Sequence, residues 1–585
     1  MQAGSDTLAA VANHWLARFE HALGAGDAAA LAALFRADSH WRDVLAFSWR
    51  IRTLSGAQAI ATQLTLEAPR VRASCLRTDP ARTAPRHATR AGAKCVEAIF
   101  RFETAAGRGS GLLRFLAESN DDPPRAWTLL TTLEELRGHE ERVGPRRPTG
   151  QSYSRDFSGP NWLDLRRASL AYKDRDPAAL IVGGGQAGLS IGARLKALGV
   201  DALIVDRWPR AGDNWRRRYH ALTLHNQVHV NHLPYLPFPP TWPVYIPKDM
   251  LASWFEAYVE ALELNYWTGT ELTGGRFDDR EQRWSVTLKQ HDGTVREMQP
   301  RHVILATGVS GIPNLPHIPS LSSFRGTVLH SSAYTDGEAW RGKRALVIGT
   351  GNSGHDITQD LHSRGATVTL AQRSPTLIVN IEPSAQLVYG LYSEGPPLED
   401  CDLITASVPL ALARKSHQLA TAHARDLDRP LLEQLERKGF RLDFGEDDTG
   451  WQFKYLTRGG GYYFNVGCSD LLVEGKVRLL QFGDIARFVA DGAQLTSGEQ
   501  VPADLIVLAT GYKGQEALVE KLFGAEIAQR VGPVWGFGDG EELRNMFQRT
   551  PQSGLWFIAG SFAQCRIYSK YLALQIKAAE AGLIH

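Results

Sequence analysis

The sequence predicts an α/β protein with two similar halves of parallel strand and helix, preceded by a smaller α+β unit. Three observations carry this. Ala179-Leu-Ile-Val182 runs into Gly183-Gly-Gly185-Gln186-Ala-Gly188, a helix-forming stretch follows, and a second apolar run, Ala202–Val205, ends in Asp206. The same order recurs at Arg344–Ile348, Gly349-Thr-Gly351-Asn352-Ser353-Gly354 and residues 366–370. Residues 1–135 have another texture, with helical periodicity first and short alternating segments after. Strand, glycine turn, helix and strand in this order define two Rossmann-like dinucleotide-binding domains.

Taken in order, residues 8–23 and 28–35 read as helices, and residues 24–27 as a turn ending in a helix N-cap. Residues 95–102, 111–116 and 126–131 read as antiparallel strands. With its Ala25-Gly-Asp27, Leu34-Phe35 and Trp41-Arg-Asp43 signals, this unit resembles the SnoaL-like, nuclear-transport-factor-like cone fold. That resemblance implies acid–base candidates inside a cone, here Asp38, His40 and Asp43. The favoured reading is plainer: Arg42 and Asp43 as rim charges, Trp41 and Trp49 as filling, and the unit as a packing or dimerisation module, because spacing pairs no acid with a base.

Residues 138–175 are polar, charged and Pro-rich, and read as an extended linker, with Trp162, Leu163 and Leu165 docking it onto the next domain. In the first glycine motif Gly183 permits the sharp turn, Gly185 lets a pyrophosphate approach, Gly188 lets helix pack on strand, and Asp206 can bind a ribose hydroxyl. The phosphates belong on the helix N-terminus, where free N–H groups and the helix dipole favour anions. In the second motif Arg373 follows the strand instead of an acid, and an arginine there can hold a 2′-phosphate. Two dinucleotide sites imply electron transfer between two cofactors.

The prolines between Leu233 and Pro243 forbid regular sheet and leave a rigid loop wall over a pocket. Residues 248–262 form an amphipathic helix. The apolar runs ending in Ala-Thr-Gly308 and Ala-Thr-Gly511 each close one domain, with glycine where backbone passes near a cofactor. Residues 376–461 fit neither half. Helices are expected there at 403–424 and 430–438, and the segment is the expected source of a substrate lid. A final helix is expected over 568–579.

The chain has 585 residues, room for three or four domains, and a net charge of +2 without long tracts of one sign. Nucleic acid and anionic membrane are therefore not expected partners; a small molecule is. No apolar run is long enough to span a bilayer, and the N-terminus lacks signal-peptide features, so a soluble cytoplasmic protein is expected. The five cysteines, Cys75, Cys95, Cys401, Cys468 and Cys565, include no Cys-x-x-Cys, which gives no metal site and argues against a disulfide reductase.

Phe324-Arg-Gly326-Thr-Val-Leu-His330-Ser-Ser-Ala-Tyr334 links the two glycine motifs. With Gly212-Asp-Asn214-Trp215, Pro-Tyr-Leu-Pro-Phe-Pro and Ala-Thr-Gly-Tyr512, it makes the chain from about residue 170 onward resemble class B flavin monooxygenases. The N-terminal extension makes it most similar to the type II flavin-containing monooxygenases. The resemblance implies FAD on Gly183, Gly185, Gln186, Gly188 and Asp206, with Asn214, Trp215 and Gly308 beside it. It implies NADPH, with NADH also open, on Gly349, Gly351, Asn352, Ser353 and Gly354, with Arg373 and Ser374 facing the 2′-phosphate. O2 is the co-substrate, activated as a flavin C4a-(hydro)peroxide.

Few catalytic side chains are expected, because the cofactor carries the chemistry. Asn226 is the nearest match to a flavin-side asparagine, and His330 is a catalytic candidate whose favoured role is coupling the domains. The implied domains are 1–135, a linker 136–176, FAD-binding 177–335, NADP-binding 336–470 with the insert 376–461, and an FAD-domain return 471–585. Tyr334 followed by Thr335 favours N- or S-oxygenation, while the type II enzymes add Baeyer–Villiger oxidation of ketones. Oxidative decarboxylation of an indole-3-pyruvate-like acid, a non-oxygenating oxidase or dehydrogenase, and a redox-sensing scaffold are the alternatives, and the cone unit makes a homodimer reasonable.

Overall fold

The computed structural model describes residues 2–117, 124–148, 157–538 and 540–584; residues 149–156 of the expected linker lie outside the described residues. The first helix spans Gln2–Ala25 and the second Ala28–Ala33, where the Asp27 carboxylate accepts from the Ala30 amide at 2.9 Å as the N-cap. The strands that follow form a seven-stranded sheet, and the longest, Ala93–Glu103 and Ala126–Leu136, extend past the expected limits. Trp15, Phe19, Phe35 and Trp41 fill the space between helices and sheet.

Two residues of this unit correct the sequence reading. Arg42 and Asp43 are not rim charges: they are 5% and 0% exposed. The strand Phe35–Val44 is buried on both faces at its C-terminal end because segments from the far end of the chain cover it. Asp43 accepts from the Phe47 and Ser48 amides at 3.1 and 2.7 Å and from the Ser48 and Thr131 hydroxyls at 2.6 and 2.8 Å. Of the other two acid–base candidates, Asp38 is exposed beside Arg36, and His40 Nδ1 lies 2.7 Å from the Ser55 hydroxyl.

The linker is not extended throughout. Trp162–Ala171 is a helix with an Asn161 and Asp164 capping box, a signal visible in the sequence as Asn three residues before Asp. It is anchored less by Trp162, Leu163 and Leu165, which stay 50%, 41% and 40% exposed, than by Arg166 on the Leu264 carbonyl at 2.6 Å and by the buried Tyr172.

Two five-stranded parallel sheets follow. The first has the strand order 266–267, 202–205, 179–182, 302–305, 555–557; the second runs 327–330, 505–508, 344–348, 367–372, 478–481. The second sheet thus takes strands on both sides of the expected 336–470 limits, because its crossovers draw in the linking motif and the second Ala-Thr-Gly strand. The helix Phe562–Glu580 begins six residues before the expected 568, at a Ser561 and Gln564 capping box, and packs on the first glycine-motif helix.

In the insert, strands Leu377–Asn380 and Tyr462–Asn465 pair in parallel and tie its two ends together. Its α-helices are Leu398–Ala406, Leu410–Arg437 and Gly450–Arg458. The break falls before Pro409, which disfavours helix at the preceding residue. Pro430 does not break the second helix. A proline there costs one helical hydrogen bond, and the burial of Leu432 and Leu435 against the second domain offsets it. No helix among the described residues is long and apolar enough to cross a membrane.

Candidate active site

The first glycine loop is shaped by its surroundings. Gly183 has φ +106°, and a Cβ there would lie 2.7 Å from the Ala306 carbonyl oxygen; a Cβ on Gly188 would overlap the Gly183 carbonyl. Gly184, which the motif leaves open, is equally constrained, because a Cβ would overlap the Tyr266 hydroxyl. Gly185 is the N-cap of the helix Gln186–Ala197 and places no side chain over its first turn, so the free N–H groups are available to an anion.

These residues line a cleft of about 650 Å³, together with Asp206, Asn214, Trp215, Thr307 and Gly308. Gly188 stands behind it as the packing residue. The Asp206 carboxylate accepts from the Gly184 amide at 2.7 Å and the Trp208 amide at 2.9 Å, and so organises the loop itself. Burial pushes its pKa up, and those two N–H groups work against the rise. Asn214 Oδ1, Trp215 Nε1 and Thr307 Oγ1 are buried without a partner among the described residues. Orphaned donors and acceptors beside a helix N-terminus suit a bound flavin dinucleotide, whose ring and phosphates supply the missing partners. Gln186 Nε2 donates to the Gly560 carbonyl at 3.1 Å and ties the motif helix to the C-terminal segment.

The second loop repeats the geometry. Gly349 has φ +113°, a Cβ on Gly354 would overlap the Gly349 carbonyl, and Gly351 is an N-cap without a capping side chain for Asn352–Ser363. Asn352 Oδ1 accepts from the Phe464 amide at 3.0 Å, which ties the loop to the strand closing the insert and leaves the donors of Asn352, its Nδ2 and backbone N–H, for a phosphate. Arg373 and Ser374 are exposed at the end of the strand Thr367–Gln372. Arg441, which the sequence reading missed, donates to the Arg373 carbonyl at 2.5 Å, and its backbone is locked to the Gln372 side chain at 2.9 Å in both directions. It puts a second cation beside Arg373 from 68 residues away, a separation at which no local pattern could announce it.

His330 lies where the domains meet. The Ser332 amide donates to its Nδ1 at 3.1 Å, which fixes Nε2 as the protonated nitrogen, donating to the Gly511 carbonyl at 3.0 Å. Burial lowers its pKa, so the ring is neutral. Tyr334 donates to Asp360 at 2.6 Å inside the second domain, and so cannot select a substrate by contact through its hydroxyl. Asn226 neighbours the Tyr389 hydroxyl, and its backbone carbonyl accepts from Asn231 Nδ2 at 2.9 Å. Tyr389 belongs with Trp451, Tyr455, Tyr462 and Phe464 to an aromatic wall built by the insert. That wall comes nearest the cleft behind Gly560: a Cβ there would lie 3.2 Å from the Tyr455 hydroxyl, which donates to Gln564 Oε1 at 3.0 Å.

Two glycine cradles on two parallel sheets, one opening on a flavin-sized cleft, define a two-nucleotide flavoprotein oxidoreductase. Comparison with known proteins narrows this. The family model described as pyridine nucleotide-disulphide oxidoreductase matches residues 180–388, which span both glycine loops; the five cysteines are all free, four of them buried. The indole-3-pyruvate monooxygenase YUCCA1 of Oryza sativa subsp. japonica is 31% identical over 339 residues, covering 58% of this chain and 77% of that protein. The probable indole-3-pyruvate monooxygenase YUCCA4 of Arabidopsis thaliana is 29% identical over 344 residues, with 58% and 76% covered. An open crystal structure of cyclohexanone monooxygenase shares the fold, with a TM-score of 0.50 and 18% identity over 70% of this chain and 88% of that one. The chain belongs to the flavin-containing monooxygenase family, enzymes that use FAD, NAD(P)H and O2.

Proposed function

We propose that the protein oxygenates a small, uncharged organic substrate, a ketone by Baeyer–Villiger oxidation or a soft sulfur or nitrogen atom, in the space between the flavin cleft and the aromatic wall. The observation that carries this reading is the wall itself. Tyr389, Trp451, Tyr455, Tyr462 and Phe464 offer apolar rings, and the polar groups beside them are the amides of Asn226 and Gln564 and the His225 ring, edge-on to Phe464 at 5.3 Å with its pKa lowered by burial. That set suits a neutral substrate better than a carboxylate, which would call for a cation.

Reduced by NAD(P)H, the flavin activates O2 and supplies the oxygen atom. The residues do the rest. Gly183, Gly185, Gln186 and the first turn of their helix hold the FAD pyrophosphate, Asp206 shapes that loop and faces the ribose, and Asn214 and Trp215 meet the ring. Gly349, Gly351, Ser353 and Gly354 hold the nicotinamide dinucleotide, while Arg373, Ser374 and Arg441 face its 2′-phosphate. His330 ties the end of the linking strand to Gly511 at the end of the neighbouring strand, so its role is to hold that edge of the second sheet, from which Ser332 and Tyr512 reach the flavin cleft. Asn226, beside Tyr389 and with its backbone carbonyl bonded by Asn231, orients polar atoms at the flavin side, and the aromatic wall excludes water. The N-terminal unit is read as a SnoaL-like cone serving packing or dimerisation, in a cytoplasmic enzyme.

The test is turnover with NADPH and NADH on cyclohexanone, thioanisole, N,N-dimethylaniline and indole-3-pyruvate. Oxygenated products from the neutral probes are expected; turnover of indole-3-pyruvate alone would overturn the neutral-substrate reading.

A further inference from the structure

One arginine of the N-terminal unit reaches the nucleotide-binding part of the chain at three points. Arg42 Nε and Nη2 donate to the two carboxylate oxygens of Glu542 at 2.7 and 2.6 Å, and Nη1 donates to the Ala406 carbonyl and to the Tyr568 hydroxyl, the latter at 3.2 Å. The Thr53 hydroxyl adds a bond to Glu542 Oε1 at 2.9 Å. Ala406 ends the insert helix Leu398–Ala406, and Tyr568 is on the C-terminal helix.

The same insert helix is gripped from both sides. Arg82 and Thr83 of the N-terminal unit bind Asp400, the Thr83 amide at 2.7 Å. Arg566 is bidentate to Asp402 at 2.7 Å and donates to the Val230 and His232 carbonyls at 2.8 Å. Just ahead of the helix, Glu394 accepts from Arg86 and Arg90, each at 2.7 Å. These ties lead to the wall. The stretch Ser384–Ser393 carries Gln386, which donates to the His225 carbonyl at 3.0 Å, and Tyr389, which neighbours Asn226. The segment that carries Glu542 also carries Trp535, whose ring nitrogen donates to the Tyr455 carbonyl at 2.9 Å.

We propose that Arg42 is a positioning residue for oxygen transfer: through Glu542 and Ala406 it fixes two segments that brace the aromatic wall, one through Trp535 on Tyr455 and one next to the stretch that carries Tyr389, so the N-terminal unit sets how tightly the substrate space closes. The inference rests on the reading of that wall as the substrate space. A planar guanidinium satisfies a carboxylate and a carbonyl at once, which a lysine ammonium cannot do with the same geometry.

The experiment uses the full-length, flavin-loaded protein with R42K, E542Q and T53A. Hydrogen–deuterium exchange is followed over 398–412 and 533–547, and thioanisole KM and hydrogen peroxide released per NADPH oxidised are measured alongside. In R42K and E542Q both segments are expected to exchange about tenfold faster, the effect of losing a charge-assisted hydrogen bond. The thioanisole KM and the peroxide share rise with it, and T53A shifts the same readouts less. Wild-type exchange in both segments, or faster exchange with KM and peroxide share unchanged, would overturn the proposal. Should R42K fail to fold, E542Q and T53A carry the same readings. A wild type that oxygenates no probe would sink the substrate-space reading instead, while the exchange data still decide whether Arg42 holds both segments.

Discussion

The carbonyl oxygen of Gly183 occupies the place that a Cβ on Gly188 would need. The carbonyl of Gly349 stands in the same relation to Gly354. In each half the first turn of the motif helix therefore packs directly on the loop that precedes it, and in the first half that loop lines the cleft.

Substitution at the last glycine of either motif should act on one nucleotide only. Gly188→Ala is expected to yield protein with little bound flavin. Gly354→Ala should keep its flavin and lose affinity for NADPH by about tenfold or more, since backbone must move to relieve the overlap. Flavin absorbance per polypeptide and NADPH titration of the oxidised protein check this, and a fully flavin-loaded Gly188→Ala would refute the assignment of the first loop.

Arg373 and Arg441 should set the choice of nicotinamide nucleotide. Charge-assisted bonds to a phosphate are worth about 1.5–3 kcal/mol, so Arg373→Ala should weaken NADPH binding by roughly tenfold to a hundredfold while leaving NADH nearly unaffected. Arg441→Ala should do the same to a smaller degree. Equal losses for both nucleotides would show that these side chains do not meet the 2′-phosphate.

The two halves of the site differ in how far sequence could reveal them. Gly183, Gly188, Gly349 and Gly354 stand out because the backbone there tolerates no side chain, a constraint written locally. Gly184 is held just as firmly, but by Tyr266, which is distant in sequence. Arg441 meets Arg373, and Arg42 meets Glu542, only through the fold. Asp43 differs from its sequence reading for a related reason: a charge next to Trp41 reads as a rim residue, yet Thr131 and the chain's own turn at Phe47 and Ser48 enclose it. Pro430 was read as a boundary because the packing of Leu432 and Leu435 that overrides it is tertiary.

His355 should make stability fall in mild acid. It is fully buried, stacked on Tyr463 with ring centroids 4.0 Å apart, and burial lowers its pKa from 6.5 to about 4. The unfolded chain therefore binds the proton more tightly, so this contribution is complete above pH 6.5 and is lost as pH falls toward 4. At about 1.4 kcal/mol per unit this amounts to roughly 3 kcal/mol. Denaturant melts of wild type and His355→Phe between pH 7 and about 4.5 should converge in slope only if another group dominates; a flatter pH dependence in the variant is the expected result.

The central claim is that this chain places one oxygen atom of O2 into a neutral substrate. Turnover of thioanisole and cyclohexanone with NADPH under isotopically labelled O2 tests it most directly. The account predicts one labelled atom in each molecule of sulfoxide or lactone, with the second labelled atom in water. Consumption of NADPH with all of the label recovered in hydrogen peroxide, and none in any product, would contradict it and leave an oxidase on the same two cradles.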